Sequence, residues 1–200
     1  MEEAIKRINE LRPKYVFVTA KSGAGKTYFS NQLDGYKVLE LDEVVESVGE
    51  AFGIKWPEPF KIYKNSLPAP VMDAFVANIH SFFQQHLDSP IVVEGAIADA
   101  DLIKKVFSGP YAKFTFVYLY PVDVDAYAER MMKRFKYEKE IGIRSLSIWP
   151  QVTQELEEAE YESEELKQFL NRMAHESLVM SAQRYAYFET NGLDMIRVEV

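Results

Sequence analysis

The stretch YVFVTAKSGAGKT, residues 15–27, decides the fold of this 200-residue chain. Its first five residues are β-branched or aromatic and show no polar alternation, which is typical of a strand buried on both faces of a parallel sheet. The next eight match the pattern G-x-x-x-x-G-K-[ST], except that Ala20 stands at the leading glycine. The residues YFSNQL that follow favour a helix. The stretch therefore predicts a strand, a tight glycine-rich loop and a helix in direct succession.

The glycine-rich loop has the residues that a phosphate cradle requires. Gly23 and Gly25 let the backbone curl so that successive N–H groups point inward, and the N-terminus of the following helix adds partial positive charge. Lys26 is placed to reach the β- and γ-phosphates of a nucleotide, and the Thr27 hydroxyl is placed to ligate Mg²⁺. The predicted nucleotide-binding residues are Ser22, Gly23, Ala24, Gly25, Lys26, Thr27 and Tyr28. The alternative is a glycine-rich turn that binds no ligand.

The composition is that of a soluble globular protein. Hydrophobic residues make up 48% of the chain and charged residues 27%, which are ordinary values for a folded domain. The absence of cysteine excludes disulfide scaffolds, thiolate zinc sites and a cysteine nucleophile. The first residues, MEEAIKRINELRP, are charged, and no apolar run approaches the roughly 20 residues of a membrane-spanning helix. We therefore expect one cytoplasmic domain over residues 1–200, a monomer or a homodimer, with no membrane partner.

The net charge of −8 is concentrated in one segment. Seven glutamates fall between residues 155 and 165 with no Lys or Arg among them, so the rest of the chain is near neutral. A solvated helical face explains this run, and a surface for a protein partner over residues 151–170 is the alternative. The chain has no strong basic stripe, which weighs against nucleic acid as a partner without excluding it.

Strand-like and helix-like segments alternate along the rest of the chain. Further strands are predicted at residues 36–41, 91–94, 114–120 and 195–200. Helices are predicted at residues 70–87, 99–107, 122–137 and 151–188, the last with at least one break. This alternation implies parallel pairing through right-handed crossovers. The expected fold class is α/β, with a mostly parallel five-stranded sheet and helices on both faces.

Residues 15–42, 91–95 and 114–134 together resemble the P-loop kinases, specifically the group of small nucleoside, nucleotide and shikimate kinases. The resemblance implies a single P-loop NTPase domain that binds ATP with Mg²⁺. It implies transfer of the γ-phosphate to a hydroxyl or phosphate of a small metabolite, with a nucleoside or nucleotide as the first choice. It also implies an acceptor-binding insertion at about residues 52–88 and a lid with helical structure at about 130–175.

Two carboxylates lie at the carboxyl ends of predicted strands, at positions where the kinases of this group carry functional acids. The segment LELD, residues 39–42, is similar to the acidic-x-Asp pattern of shikimate and gluconate kinases, which implies that Asp42 accepts or orients the proton of the attacking hydroxyl. Capping of a helix that begins near Glu43 is a second interpretation of Asp42, compatible with the first. Glu94, followed by Gly95, is similar to the acid-glycine pair of nucleotide kinases, whose acid binds Mg²⁺ through water or touches the acceptor. A structural salt bridge is the alternative for Glu94.

Arg130 and Arg134 lie one helical turn apart in the segment that resembles the helix leading into the kinase lid. The resemblance implies that they clamp the phosphoryl group in transit through charge-assisted hydrogen bonds. An ion pair with Glu129 or another surface acid is the alternative for each arginine. The sequence adds further basic residues to the same region, namely Lys133, Lys136, Lys139 and Arg144, with Gly142 as a candidate hinge.

The segment from Gly53 to Lys64 coincides with the region where these kinases bind the acceptor. Its aromatic residues Trp56, Phe60 and Tyr63 suit stacking on a nucleobase, and its lysines Lys61 and Lys64 suit a phosphate. A surface loop pinned by its own aromatic residues explains the same sequence. Arg184 is a further candidate, because the corresponding late region in many such kinases lies near the adenine or the phosphates.

The chain departs from the group in two respects that leave the acceptor open. Residues 136–175 are long and acidic, without the arginine-rich lid of adenylate kinases, and the Asp-Arg-Tyr/Phe motif of deoxynucleoside and thymidylate kinases is missing after the third strand. Two alternative functions remain at this point. One is a P-loop kinase acting on a modified base in DNA; the other is a nucleotide-binding switch or assembly factor with slow NTP hydrolysis.

Overall fold

Five strands form one sheet at the centre of the computed structural model, which describes residues 1–55, 57–142 and 151–200. The strands are β1 Tyr15–Thr19, β2 Lys37–Glu40, β3 Ile91–Gly95, β4 Thr115–Tyr120 and β5 Ile196–Glu199. Their order across the sheet is β2-β3-β1-β4-β5, and every neighbouring pair is parallel. The predicted α/β fold class with a five-stranded parallel sheet is confirmed.

Helices connect the strands. Before β3 they are α1 Glu2–Leu11, α2 Lys26–Asn31, α3 Leu41–Ala51 and α4 Ala69–Gln85, with a 3-10 segment at Glu58–Lys64. After β3 they are α5 Ala100–Val106, α6 Val124–Ile141, α7 Gln154–Glu158 and α8 Glu164–Thr190. The break that the sequence predicts in the last helical region lies between α7 and α8. Most of the glutamates of residues 155–165 are exposed there, as a solvated face requires.

Strand β1 is buried on both of its faces, which explains its lack of polar alternation. Phe17 belongs to an apolar cluster formed with α3, α4 and α5, where Phe75 and Ile79 of α4 are fully buried. Val16 and Val18 belong to a second cluster on the opposite face, formed with α1, α2 and α6. Helices therefore cover both faces of the sheet, as a central parallel strand requires.

Helix α8 contributes to both apolar clusters. Leu166 and Leu170, near its start, pack in the cluster with α6, whereas Phe188, near its end, packs in the cluster with α4. Between them, the Tyr118 hydroxyl of β4 donates a hydrogen bond of 3.1 Å to the Ser181 carbonyl. This course brings the C-terminal half of α8 past the sheet, where Arg184 can take part in a site.

The strand order fixes where a ligand can bind. From the central strand β1 the chain crosses to β2 at one edge and returns through β3, and it later adds β4 and β5 on the other side of β1. The crevice at the carboxyl end of the central strand is the usual ligand position in open parallel sheets. The glycine-rich loop follows β1, Asp42 lies just beyond β2, and Glu94 is the penultimate residue of β3, all at this edge. Within the described part of the chain, no helix has both the length and the apolar character needed to cross a bilayer.

Candidate active site

The glycine-rich loop runs from Ala20 to Gly25 and ends at the start of α2. Gly23 has a φ of +85° and Gly25 a φ of +93°, so both residues lie in the left-handed region that favours glycine. Gly25 is the N-cap residue of α2, and no side chain caps this helix. The first N–H groups of α2 are therefore available to an anion at the loop.

Ala20, which replaces the leading glycine of the motif, fits its position without strain. Its side chain is fully buried in the cluster with α2 and α6. It is not among the residues with positive φ, so its backbone does not require glycine. The departure from the motif therefore leaves the shape of the loop intact.

Helix α6 packs directly on the loop. The Tyr127 hydroxyl donates a hydrogen bond to the Ser22 carbonyl. A Cβ built at Gly23 would lie 3.6 Å from the Tyr127 ring and 3.8 Å from Met131 Cγ. The loop is thus held between the end of β1 and the helix that the sequence assigns to the lid.

Lys26 lies at the centre of the charged groups. Burial lowers the pKa of its ammonium, and the charges of Asp42 and Glu94 oppose this effect. The guanidinium groups of Arg134 and Arg184 act in the same direction as burial. Five side chains from separate parts of the fold are therefore close enough to interact, with two carboxylates and two guanidinium groups around the loop lysine.

Asp42 lies in the first turn of α3, beside the predicted acceptor-binding insertion. Its Oδ1 atom accepts a hydrogen bond of 2.5 Å from the Tyr63 hydroxyl, and its side chain is exposed. The interpretation of Asp42 as a helix cap is wrong, because α3 begins at Leu41 and its N-cap residue is Glu40. Asp42 instead presents an exposed carboxylate at the strand edge, as its predicted catalytic role requires.

Glu94 is nearly buried at the end of β3, with 4% of its surface exposed, and its Oε2 atom has no hydrogen-bond partner among the described residues. Burial raises the pKa of its carboxyl group, and a hydrogen bond from Thr27 and the charge of Lys26 oppose this rise. Burial of a carboxylate oxygen without a hydrogen-bond partner costs free energy. A buried carboxylate of this kind suits a cation ligand better than a structural salt bridge.

Mg²⁺ fits the oxygen atoms at this point. The Thr27 hydroxyl and the Glu94 carboxylate are hard oxygen donors in contact with each other, and Mg²⁺ prefers such donors. Among the described residues, no group of three or more His, Asp or Glu side chains could hold a metal by itself. A magnesium ion here would therefore also need phosphate oxygens and water, which is its usual coordination in phosphotransferases.

The two arginines of α6 differ in their surroundings. The Arg134 side chain is 45% exposed, and its Nε donates a hydrogen bond of 2.7 Å to Oε1 of Glu138, which is a buried acid rather than Glu129 or a surface acid. Arg130 lies with its guanidinium carbon 5.5 Å from the centre of the Tyr127 ring. Its Nε and Nη2 atoms are buried without a hydrogen-bond partner in the described part of the chain. Both arginines line a cavity of about 650 Å³ together with Thr27.

Two further basic side chains, Arg184 and Lys21, lie near the loop, and the sequence indicates their place there less clearly than that of Lys26. Arg184 of α8 has a buried Nη1 atom without a partner among the described residues, and burial lowers its pKa. Burial lowers the pKa of Lys21 to about 8, with further contributions from the charges of Arg184 and Lys64. In the sequence Lys21 is only a variable position of the motif, because nothing there indicates that α8 passes beside it.

The candidates in the segment from Gly53 to Lys64 have different surroundings. Tyr63 is buried, so the interpretation of its segment as pinned by its own aromatic residues is correct for this side chain. Lys61 forms an ion pair with Glu58. Trp56 lies outside the described residues, as does Arg144.

Tyr28, the last of the predicted nucleotide-binding residues, has an exposed side chain. It is 58% exposed and lines a groove between α2 and α1. Of the additional basic residues, Lys136 and Lys139 lie over the Tyr161 ring, at 4.8 and 5.1 Å from its centre. Gly142 ends α6 with a φ of +73°, a conformation compatible with a hinge.

Comparisons with known proteins give distant matches. No family model and no curated protein sequence matches the chain. A gluconokinase structure from Sinorhizobium meliloti 1021 aligns with 90% of this chain and 98% of its own, at 19% identity and a TM-score of 0.44. A shikimate kinase structure from Bacteroides thetaiotaomicron aligns with 92% of this chain and 84% of its own, at 16% identity and a TM-score of 0.43.

Proposed function

We propose that this protein is an ATP-dependent phosphotransferase that moves the γ-phosphate to a hydroxyl or phosphate of a small metabolite, with nucleosides and nucleotides as the first class to test. One observation carries the proposal. The charge of the loop lysine, Lys26, interacts with those of two carboxylates at the carboxyl ends of the neighbouring strands β2 and β3, Asp42 and Glu94. Such a site combines phosphate binding, metal binding and proton acceptance within reach of one transferring group.

The residues around the loop divide the chemical work. The loop N–H groups and Lys26 bind the β- and γ-phosphates, and Thr27 with Glu94 would hold Mg²⁺, which neutralises charge on the phosphate oxygens when bound. The acceptor hydroxyl oxygen forms the new bond to the γ-phosphorus while Asp42 accepts the hydroxyl proton. The bond between the γ-phosphorus and the β,γ-bridging oxygen breaks, and ADP leaves with its electrons. Arg130 supplies buried N–H donors to the phosphoryl group in transit.

Unpartnered guanidinium atoms support this assignment. Arg130 and Arg184 approach the loop from two different helices, and each has buried nitrogen atoms that lack a hydrogen-bond partner in the described residues. Leaving charged donors unsatisfied is costly, so a bound polyanion is the natural complement of this cluster. The triphosphate of ATP has the required charge.

The decisive experiment is an ADP-release assay with MgATP and a panel of acceptors, namely adenosine, cytidine, thymidine, their monophosphates, gluconate and shikimate. Acceptor-dependent ADP release supports the kinase. Slow release that no acceptor accelerates supports the nucleotide-dependent switch instead. An oligonucleotide with a hydroxymethylated base tests the DNA alternative in the same assay.

Two variants assign the roles within that assay. Lys26→Ala should abolish turnover while the far-UV circular dichroism spectrum is unchanged. Asp42→Asn should lower turnover and leave ATP affinity close to that of the wild type, because Asp42 acts on the acceptor. Calorimetry that detects no binding of MgATP or MgGTP at millimolar concentration would overturn the proposal as a whole.

A further inference from the structure

Tyr63 connects three parts of the site. It lies in the 3-10 segment Glu58–Lys64, within the predicted acceptor-binding insertion. Its hydroxyl donates a hydrogen bond of 2.5 Å to Asp42 Oδ1 at the start of α3. Its backbone carbonyl accepts a hydrogen bond of 2.8 Å from the Ala98 N–H, in the loop that follows Glu94 and β3. One residue therefore joins the insertion, the proposed catalytic carboxylate and the loop beyond the proposed metal ligand.

The Tyr63 side chain is held rigidly. It is 6% exposed, and its ring packs edge-on against Phe60 and Phe75, with ring centres 6.0 and 6.5 Å away. Burial and the neighbouring Asp42 raise the pKa of its hydroxyl well above the usual value. The hydroxyl therefore stays protonated and acts as a fixed donor toward the carboxylate.

Asp42 has no comparable constraint of its own. Its side chain is exposed in the first turn of α3, where an aspartate carboxylate is free to rotate unless a partner holds it. The hydrogen bond from Tyr63 occupies Oδ1, so Oδ2 is the oxygen that would accept the proton of an acceptor hydroxyl. Correct orientation of a proton acceptor matters greatly, because small misplacements of a reacting group reduce turnover strongly.

From this geometry we propose that Tyr63 is a positioning residue, which orients the Asp42 carboxylate toward the acceptor and makes that orientation depend on the folded insertion. The role rests on the proposed function, since it has meaning only if Asp42 accepts a proton during transfer. Tyr63 itself touches no substrate. A purely structural tyrosine hydroxyl would contribute to stability and leave catalysis unchanged.

A double-mutant cycle separates the two roles. The variants are Tyr63→Phe, Asp42→Asn and the double variant, with Tyr36→Phe as the matched control, because the Tyr36 hydroxyl donates a 2.8 Å hydrogen bond to the Pro13 carbonyl in another part of the fold. Turnover is measured as ADP release from MgATP, with water as the acceptor and with the panel compound that gives the fastest release. ATP affinity is measured by calorimetry and stability by thermal unfolding.

We expect Tyr63→Phe to lower kcat about tenfold to a hundredfold, with ATP affinity within about twofold of the wild type. In the Asp42→Asn background the same change should alter kcat less than about twofold, since the carboxylate to be oriented is gone. Tyr36→Phe should lower the unfolding temperature and leave kcat unchanged. Tyr63→3-fluorotyrosine retains the hydroxyl and should restore kcat, which keeps the test valid if the phenylalanine variant folds poorly.

Additive effects of Tyr63→Phe and Asp42→Asn on kcat would overturn the positioning role, as would a Tyr63→Phe variant with reduced stability and normal kcat. Either result leaves the proposed function standing, provided that the wild type binds ATP and that a panel compound accelerates its ADP release. If no panel compound accelerates ADP release by the wild type, the proposed function and the role of Tyr63 both fail.

Discussion

The Tyr127 hydroxyl of α6 donates a hydrogen bond to the Ser22 carbonyl in the glycine-rich loop. This contact attaches the helix that carries Arg130 and Arg134 to the backbone that would cradle phosphate. Because Tyr127 is fully buried against Gly23, the loop cannot change shape without disturbing the packing of α6. The glycine-rich loop and helix α6 are therefore expected to move together.

Tyr127→Phe removes this hydrogen bond and retains the ring that packs on Gly23. We expect the Kd for MgATP to rise about fivefold, which corresponds to the roughly 1 kcal/mol of one intramolecular hydrogen bond. Calorimetry with MgATP measures the effect. Tyr36→Phe, which removes a hydroxyl far from the loop, should leave the Kd unchanged. An unaltered Kd in Tyr127→Phe would indicate that the loop keeps its shape without α6.

Lys21 makes the stability of the nucleotide-free protein depend on pH. Its pKa in the folded protein is about 8, against a usual value of 10.5. Between these values the unfolded chain binds a proton that the folded protein has lost, so this residue makes stability increase with pH in that window. Well below pH 8 Lys21 is protonated in both the folded and the unfolded state. The burial of its charge then lowers the free energy of unfolding by its full amount.

We therefore expect Lys21→Met to unfold at a higher temperature than the wild type near pH 7 in the absence of nucleotide. The difference should shrink as the pH rises from about 8 to 10.5, because the wild-type lysine loses its charge there. Thermal unfolding of both proteins across this range measures it. A difference that stays constant up to pH 10.5 would contradict the assignment to Lys21.

Glu94→Gln tests whether the buried carboxylate acts on magnesium. The substitution conserves size and removes the negative charge that Mg²⁺ requires. We expect the Mg²⁺ concentration for half-maximal turnover to rise at least tenfold, with maximal turnover partly recovered at high Mg²⁺. Glu43→Gln, on the exposed side of α3, is the control. Equal Mg²⁺ dependence in the two variants would remove Glu94 from the metal site.

The two arginines of α6 should separate into a catalytic and a structural effect. Arg130→Met removes buried N–H groups that have no protein partner in the described residues, so turnover should fall about 10²- to 10³-fold with little loss of stability. Arg134→Met breaks an ionic hydrogen bond to the buried Glu138, which should cost about 1.5–3 kcal/mol of unfolding free energy. Paired kinetic and denaturation measurements check both. If Arg130→Met and Arg134→Met lost turnover to the same extent and had the same stability, the two arginines would share one role.

Much of the site was predictable from local sequence. All five residues of β1 are buried and show no polar alternation, because helices cover both faces of the sheet, and that pattern is visible in the sequence. Asp42 and Glu94 could be placed together because the carboxyl ends of parallel strands meet at one edge. These features depend on neighbours in the chain and on general rules of sheet topology.

Other features depend on contacts between distant segments and leave little trace in the sequence. The start of α3 was misplaced because its N-cap residue, Glu40, makes no capping hydrogen bond, whereas Asp42 has the side chain of a typical cap. Tyr63 reaches Asp42 only through the fold of the insertion. Arg184 approaches Lys26 only because the long helix α8 crosses from one apolar cluster to the other.

Gly95 provides the last test, because it sets the distance between β3 and the start of α3. A Cβ at this position would lie 2.7 Å from both Cβ and Cδ1 of Leu41, the residue before Asp42. Leu41 is fully buried, so it has little room to move away. We expect Gly95→Ala to cost about 1–3 kcal/mol of stability through overpacking and to reduce turnover by shifting Asp42.

Two comparisons distinguish displacement of Asp42 from general destabilisation. Gly192→Ala meets no atom within 4 Å and has a φ of +73°, so it should lower stability through backbone strain and leave turnover unchanged. The double variant Leu41→Ala, Gly95→Ala should lose less stability than the two single losses added together. The reason is that the new methyl group at position 95 fills space left by the shortened side chain at position 41. Thermal unfolding and ADP release are measured on all four variants. If Gly95→Ala retains full turnover while losing stability, the contact between Gly95 and Leu41 supports only the fold, and the orientation of Asp42 is set elsewhere in α3.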